Sequence, residues 1–455
     1  MKTSHRTFLG STVTLLAGAH ALACLFACWL ASGCSAPAAP PAIPTFNRDI
    51  APILFAKCAT CHRPGEVAPF PLLTFADAQR RAKQIATVTH RRLMPPWKAQ
   101  PGHGEFLDER RLDDAQIERI ARWAEAEAPE GNPADLPRTP KFPTGWQLGQ
   151  PDLVVRMPKP YQLAAEGPDE LRNFVIPIPL NEDRMVGAVE FRPGNRRVVH
   201  HALCYLDVHG AARKLDELDP LPGYASFGGP GFFPTGSLGG WAPGTVPRFL
   251  PAGVGRHLKR GSDLVMQLHY HRSGKPETDQ PEAGIYFVRQ PATRYIGGLT
   301  LENWEFTIPA HHARYGVSAD YTLPVAVTFV AAAPHMHLLG RELKVTAHLP
   351  DGGLRPLIWV KDWDFNWQDN YVYRQPFTLP KGTQLRLEAW FDNSTNNPAN
   401  PSQPPQPVTY GEQTTTEMAM CIFEVTCDQL GDLLFLIGDD ARHRKVIERA
   451  LRLSR

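Results

Sequence analysis

The chain has 455 residues, of which 43% are hydrophobic and 21% charged, the balance of a globular protein. Lys2 and Arg6 are the only basic residues ahead of Cys34, so the rest of the chain carries 46 Lys+Arg against 46 Asp+Glu, scattered along its length. That neutrality gives no electrostatic reason to expect nucleic acid as a partner. The 45 prolines, about twice ordinary usage, favour short strands and loops over helical bundles.

The N-terminus reads as a targeting segment. Thr7 to Leu30 contains no Lys, Arg, Asp or Glu, and "LASGCS" (30–35) follows, small residues ahead of a cysteine as in a bacterial lipobox. The expectation is a lipoprotein-type signal over 1–34, with lipid on Cys34 and the body outside the cytoplasm, in the periplasm or at the cell surface. A retained membrane anchor is the alternative, and either is the only membrane contact expected. Residues 35–44 form an Ala/Pro tether.

Residues 45–131 read as a small all-α haem domain. Cys58-Ala59-Thr60-Cys61-His62 is C-x-x-C-H, the c-type haem attachment motif: two thiols for thioether bonds and a histidine for the iron. No second C-x-x-C exists to complete a zinc site. Met94, ahead of Pro95 and Pro96, is preferred as the second axial ligand over His90 and His103, because a His/Met pair suits electron transfer. In 112–129, Ile117, Ile120 and Trp123 recur at helical spacing behind Asp113 and Asp114. The segment resembles the C-terminal helix of class I cytochromes c.

A proline-rich linker is expected over 132–149. From 150 to 427, short apolar runs such as "DLVVRM", "LVMQLHYH" and "LKVTAHL" alternate with Pro/Gly-rich loops, which predicts two all-β sandwich domains, jelly-roll-like, over 150–290 and 291–427. Of eight cysteines, Cys24, Cys28 and Cys34 belong to the leader and Cys58 and Cys61 to the haem motif. The odd number left over, Cys204, Cys421 and Cys427, allows at most one disulfide. The tail, 428–455, is read as a helix packed on the sandwich through Leu430, Leu433, Leu434 and Ile437.

Histidines carry the strongest remaining signal. "VVHHALCYLD" reads as a strand with two adjacent histidines, His200 and His201. Neighbours on a strand point to opposite faces, so either one ring is buried and one exposed, or the strand twists enough to bring both onto one metal. His269-Tyr270-His271 and His335-Met336-His337 are H-x-H pairs, which a strand places on one face as a ready chelate. His311 and His312 read as a surface pair in a loop.

Taken in order, "VVHHALCYL", "GWAPGT…LVMQLHYH", "APHMHLLGRELKV" and "TTEMAMCIFEV" resemble the copper type II, ascorbate-dependent monooxygenases, the family of peptidylglycine α-hydroxylating and dopamine β-monooxygenases, over about 150–427. An upstream c-type cytochrome resembles bacterial relatives of the group. The resemblance implies one copper on His200, His201 and His269, and a second on His335, His337 and Met418, with Met420 as rival and His271 without a clear counterpart. It implies dioxygen, a small-molecule substrate, ascorbate or another one-electron reductant, and a redox partner protein. The covalent haem is then an electron entry. Peptide-amidating members carry an arginine where this chain has Ala333, and an asparagine and a tyrosine where it has Met420 and Ile422. Without that carboxylate clamp, a non-peptide, neutral or apolar substrate fits better. The competing class is an electron-transfer or copper-binding haem protein without hydroxylase activity.

Overall fold

The structure is a computed structural model, and it describes residues 42–226, 229–411 and 413–445. The expected lipobox and Cys34, and the last ten residues of the tail, lie outside the described residues. Strand accounts for 36% and helix for 16% of the described residues, in line with the all-β expectation for most of that length. No helix among the described residues is long and apolar enough to cross a membrane.

The N-terminal part is a small helical cluster: Ala51–Lys57, Phe75–Gln79, Ala82–His90 and Asp114–Glu125. The last helix begins with a reciprocal capping box between Asp113 and Gln116 and buries Ile117, Ile120 and Trp123, the residues whose spacing predicted it. They pack with Phe46, Ile50, Leu54, Leu72 and Ile85 in a core of their own.

Two β-sandwiches follow, and they share one continuous sheet. Its eight strands run in the order Leu153–Arg156, Glu282–Phe287, Arg184–Arg192, Val254–Leu258, Arg294–Asn303, Ala419–Thr426, Val327–His335 and Tyr371–Leu379. The halves are joined by a short parallel pairing of Arg294 and Tyr295 with Val254 and Gly255. A five-stranded sheet covers the first half: Tyr224–Ala225, Glu170–Pro177, Asp263–Tyr270, Val199–Asp207, Gly236–Trp241. A four-stranded sheet covers the second: His312–Thr322, Gln384–Asn393, Gly340–His348, Leu354–Val360. Each sandwich encloses its own apolar core. His311 and His312 are exposed, and Cys204, Cys421 and Cys427 are buried free thiols.

Two features depart from the sequence expectation. The segment 97–107 does not stay with the helical cluster. It lies along the second sandwich, with Ala99 bridged to Val360 and Phe106 to Tyr373, and the Gln100 amide donating to Trp359 O at 2.8 Å. Ala99 and Phe106 belong to the sandwich core, so the helical cluster is clamped to the β domains as well as tethered to them. The C-terminal helix, Leu430–His443, packs through Leu433 and Leu436, with Leu433 over Gly297, while Leu430 and Leu434 remain exposed. Ile437 also meets Gly297, so half of the expected apolar stripe packs and half faces outward.

Candidate metal centre

Alternation decides which way each histidine points. On Val199–Asp207, Ala202, Cys204 and Leu206 face the first core, so His201 faces outward and His200 should face inward. A β-bulge prevents that. Val199 pairs with Tyr270 and His201 with His269, which leaves His200 as the extra residue, turned outward beside its neighbour. The bulge, rather than general twist, is how adjacent histidines come to share one face.

The three Nδ1 atoms converge. His200 and His269 are 3.3 Å apart, His200 and His201 3.3 Å, and His201 and His269 3.4 Å. Three corners of a tetrahedron with bonds of about 2.0–2.1 Å are roughly 3.3 Å apart, so the triangle suits a metal ion with one position left open. Among the described residues this is the cluster of three or more His, Cys, Asp or Glu with metal-holding geometry. The Nε2–H of His269 donates to Asp169 Oδ2 at 2.9 Å, which leaves Nδ1 as a lone pair aimed at the centre. His271 is mostly exposed and donates from Nδ1 to the other oxygen of Asp169, also at 2.9 Å. It stands beside the triangle as a partner of that carboxylate.

The second group lies on the facing sandwich. Along Val327–His335 and Ala419–Thr426, Phe329, Ala332, Cys421 and Phe423 enter the second core, so His335 and Met420, which are directly opposed, face out. Met418 lies immediately ahead of the strand and is the more buried of the two methionines. The rings of His335 and His337 are 5.1 Å apart and nearly perpendicular. Each is tied by Nδ1–H, His335 to Gln368 Oε1 at 2.6 Å and His337 to Thr416 O at 2.9 Å, leaving both Nε2 atoms free to bind.

Glu417 staples this group. Its buried carboxylate accepts from the amides of His337 (2.8 Å), Leu339 (2.6 Å) and Met418 (3.2 Å), and burial pushes its pKa up to about 8. The turn after His337 is so tight that a Cβ on Gly340 would meet Met336 at 2.7 Å. The Phe365 ring lies between the two groups, 6.0 Å from His200 and 6.0 Å from His337.

In the helical cluster, Cys58 ends the helix Ala51–Lys57, and the His62 amide donates to Cys58 O at 2.9 Å, so both cysteines and the histidine sit on one turn. Both thiols are free. The His62 Nδ1–H donates to Phe70 O at 3.1 Å, leaving Nε2 unprotonated, which fits an iron ligand. Met94 is half-buried in the loop after Ala82–His90. Of its rivals, His90 is exposed, and His103 packs against Trp359 of the second sandwich, ring centroids 4.7 Å apart and planes tilted by 58°. An open cleft runs between Cys61 and the first sandwich, lined by Arg63, Arg196, Cys204 and Trp241.

Sequence reasoning missed Asp169, Phe365 and Gln368, which come from loops far from the motifs. Glu417 was visible in "TTEMAMC", where a charge stands beside a buried methionine.

Burial keeps the ligand candidates neutral. The pKa of His200 falls to about 4 and that of His335 to about 3, burial first and neighbouring imidazoles second, while His201, His269 and His337 are lowered mainly by burial. In metal-free protein these rings resist protonation that the unfolded chain accepts near 6.5. Each ring therefore withdraws stability as pH falls from 6.5 toward its folded pKa. Glu417 acts in the opposite sense, so one ring is best isolated by substitution. Metal-free wild type should lose up to about 1.4 kcal/mol per pH unit more than His335→Gln in that window. Urea midpoints from pH 6.5 to 4.5 would measure it, and parallel pH profiles would contradict it.

Comparison with known proteins yields no family. No protein-family description matches, and no curated protein matches. Among solved structures, infectious bursal disease virus Gx strain matches at 12% identity and TM-score 0.18, over 60% of this chain and 70% of that one. The major capsid protein P2 of bacteriophage PM2 matches at 9% identity and TM-score 0.23, over 57% and 97%. Likeness at this level carries no argument about function.

Proposed function

We propose that the chain is a copper-dependent monooxygenase that hydroxylates a C–H bond of a neutral or apolar small molecule, with a c-type haem as electron entry. On this reading, 45–131 is a cytochrome c-like domain, with Cys58 and Cys61 in thioether linkage and His62 and Met94 as axial ligands. His200, His201 and His269 hold one copper, and His335, His337 and Met418 the other. Dioxygen and two copper ions would supply the one-electron redox chemistry that hydroxylation needs, with ascorbate or another one-electron donor behind the haem. The protein acts outside the cytoplasm, held by lipid at Cys34.

One observation carries the reading. Two groups of neutral imidazoles on different sandwiches face each other across a single phenyl ring, and His269, His335 and His337 each have one nitrogen tied and one free. The softer donor, a thioether, is available at the second group alone, which makes the two sites chemically different. A carrier has no need of that difference. Around His335, the outward residues Ala333, Met420 and Ile422 are apolar, Ile422 is exposed, and none of the three could pair a substrate carboxylate.

The haem role is tested by reducing the haem with a flash in anaerobic protein and following its absorption band. Cu(II)-loaded protein should reoxidise the haem at a rate independent of protein concentration, and metal-free protein should not. Equal rates would mean that the cytochrome serves another partner. Reductant-driven oxygen uptake that requires both metal groups separates the enzyme from a carrier.

A further inference from the structure

The loop 361–370, between the strands Leu354–Val360 and Tyr371–Leu379, touches the helical cluster's extension on one side and the histidine groups on the other. Toward the histidines, Trp363 Nε1–H donates to His337 O at 3.0 Å, Phe365 stands between His200 and His337, and Gln368 Oε1 accepts from His335. Gln368 is itself aimed by its Nε2–H, which donates to Phe365 O at 2.9 Å. Away from them, Asp362 and Asp364 pair with the buried Lys98 ammonium at 3.2 and 3.9 Å, and Asp369 pairs with Arg110. Arg110 lies over the Trp97 ring at 5.3 Å, and Trp97 packs edge-on against Tyr371 at 5.2 Å. Both ends of the loop are thus held by residues 97–110, and three residues between them, Trp363, Phe365 and Gln368, contact the histidines.

We propose that the loop is a positioning element through which the 97–110 segment sets the geometry of the His335/His337 group, with Gln368 holding the His335 tautomer and Arg110 holding the loop through Asp369. Gln368 is the only partner of the His335 ring nitrogen that the hydrogen bonds among the described residues provide. Arg110 meets Asp369 through a single Nη2–H contact, so it holds the loop by charge and reach, which a lysine ammonium largely reproduces and an alanine does not. The inference rests on the metal-binding reading of the second group, and goes beyond it by making that group depend on docking of the helical part.

The test uses the full chain with Gln368→Leu, Arg110→Ala and Arg110→Lys. In metal-free protein, hydrogen exchange should quicken at 361–370 and at the His337 amide in Arg110→Ala and stay near wild type in Arg110→Lys. In metal-loaded protein, competition with a chromophoric Cu(I) chelator should show a 10–100-fold weaker second site in Gln368→Leu and Arg110→Ala, with partial recovery in Arg110→Lys. The Cu(II) resonance spectrum of the second site should shift while that of the His200 triad stays put. Wild-type exchange rates in Arg110→Ala, or unchanged affinity and spectrum at the second site, would overturn the proposal. A wild-type chain that binds a single copper would instead overturn the two-site reading beneath it, while the metal-free exchange data still report on the loop.

Discussion

His201→Ala is expected to abolish copper binding at the first group while leaving the second group and the haem in place. His201 is half-buried, and its Nδ1 is one corner of a triangle 3.3–3.4 Å on each side. Removing a corner leaves two imidazoles where the open tetrahedral site has three. The loss should exceed the 10–100-fold change expected from Asp169→Asn, which disturbs the orientation of His269 and leaves all three imidazoles in place. His201 lies in one sandwich and His335 and His337 in the other, so the second site provides an internal control for folding. Calorimetric titration with copper under reducing conditions, with the metal counted per haem, measures both sites at once. Loss of both sites in His201→Ala, with a native circular dichroism spectrum, would contradict independent binding.

Met418→Ile is expected to remove oxygen-dependent turnover while preserving the first copper and the haem. Isoleucine keeps the apolar volume of a nearly buried side chain and removes the sulfur, so packing changes little. What disappears is the soft donor suited to Cu(I). Met420 is the natural comparison, because it is paired directly with His335 and lies on the same face. If Met420→Ile is the damaging change and Met418→Ile is not, the ligand is the residue one strand step further along. Oxygen uptake driven by ascorbate, normalised to haem, reads both variants.

Much of the site was legible because its signals are local. C-x-x-C-H is a contiguous motif, and H-x-H on a strand needs only alternation to bring two rings to one face. The all-β body followed from short apolar runs between Pro/Gly loops. What was not legible depends on register and on long-range docking. The His200 bulge exists because Val199 and His201 pair with consecutive residues of a strand some seventy positions away, which no local pattern encodes. Asp169 and Gln368 reach their histidines from loops of opposite sandwiches. The 97–107 segment read as part of a haem domain because it lies between the Met94 loop and the helix behind Asp113, yet its Ala99 and Phe106 complete the core of the second sandwich. The tail helix showed its apolar residues but not which of them the underlying Gly297 would admit.

Metal and haem content of the mature protein tests the central claim most directly. After reconstitution with copper and removal of loosely bound ions, elemental analysis and a pyridine haemochrome spectrum on the same sample should give two coppers and one covalently attached haem per chain. The haem should resist acid–acetone extraction, and Cys58→Ser with Cys61→Ser should release it. One copper or fewer per chain, or haem that extracts freely, would contradict a two-copper, haem-fed monooxygenase.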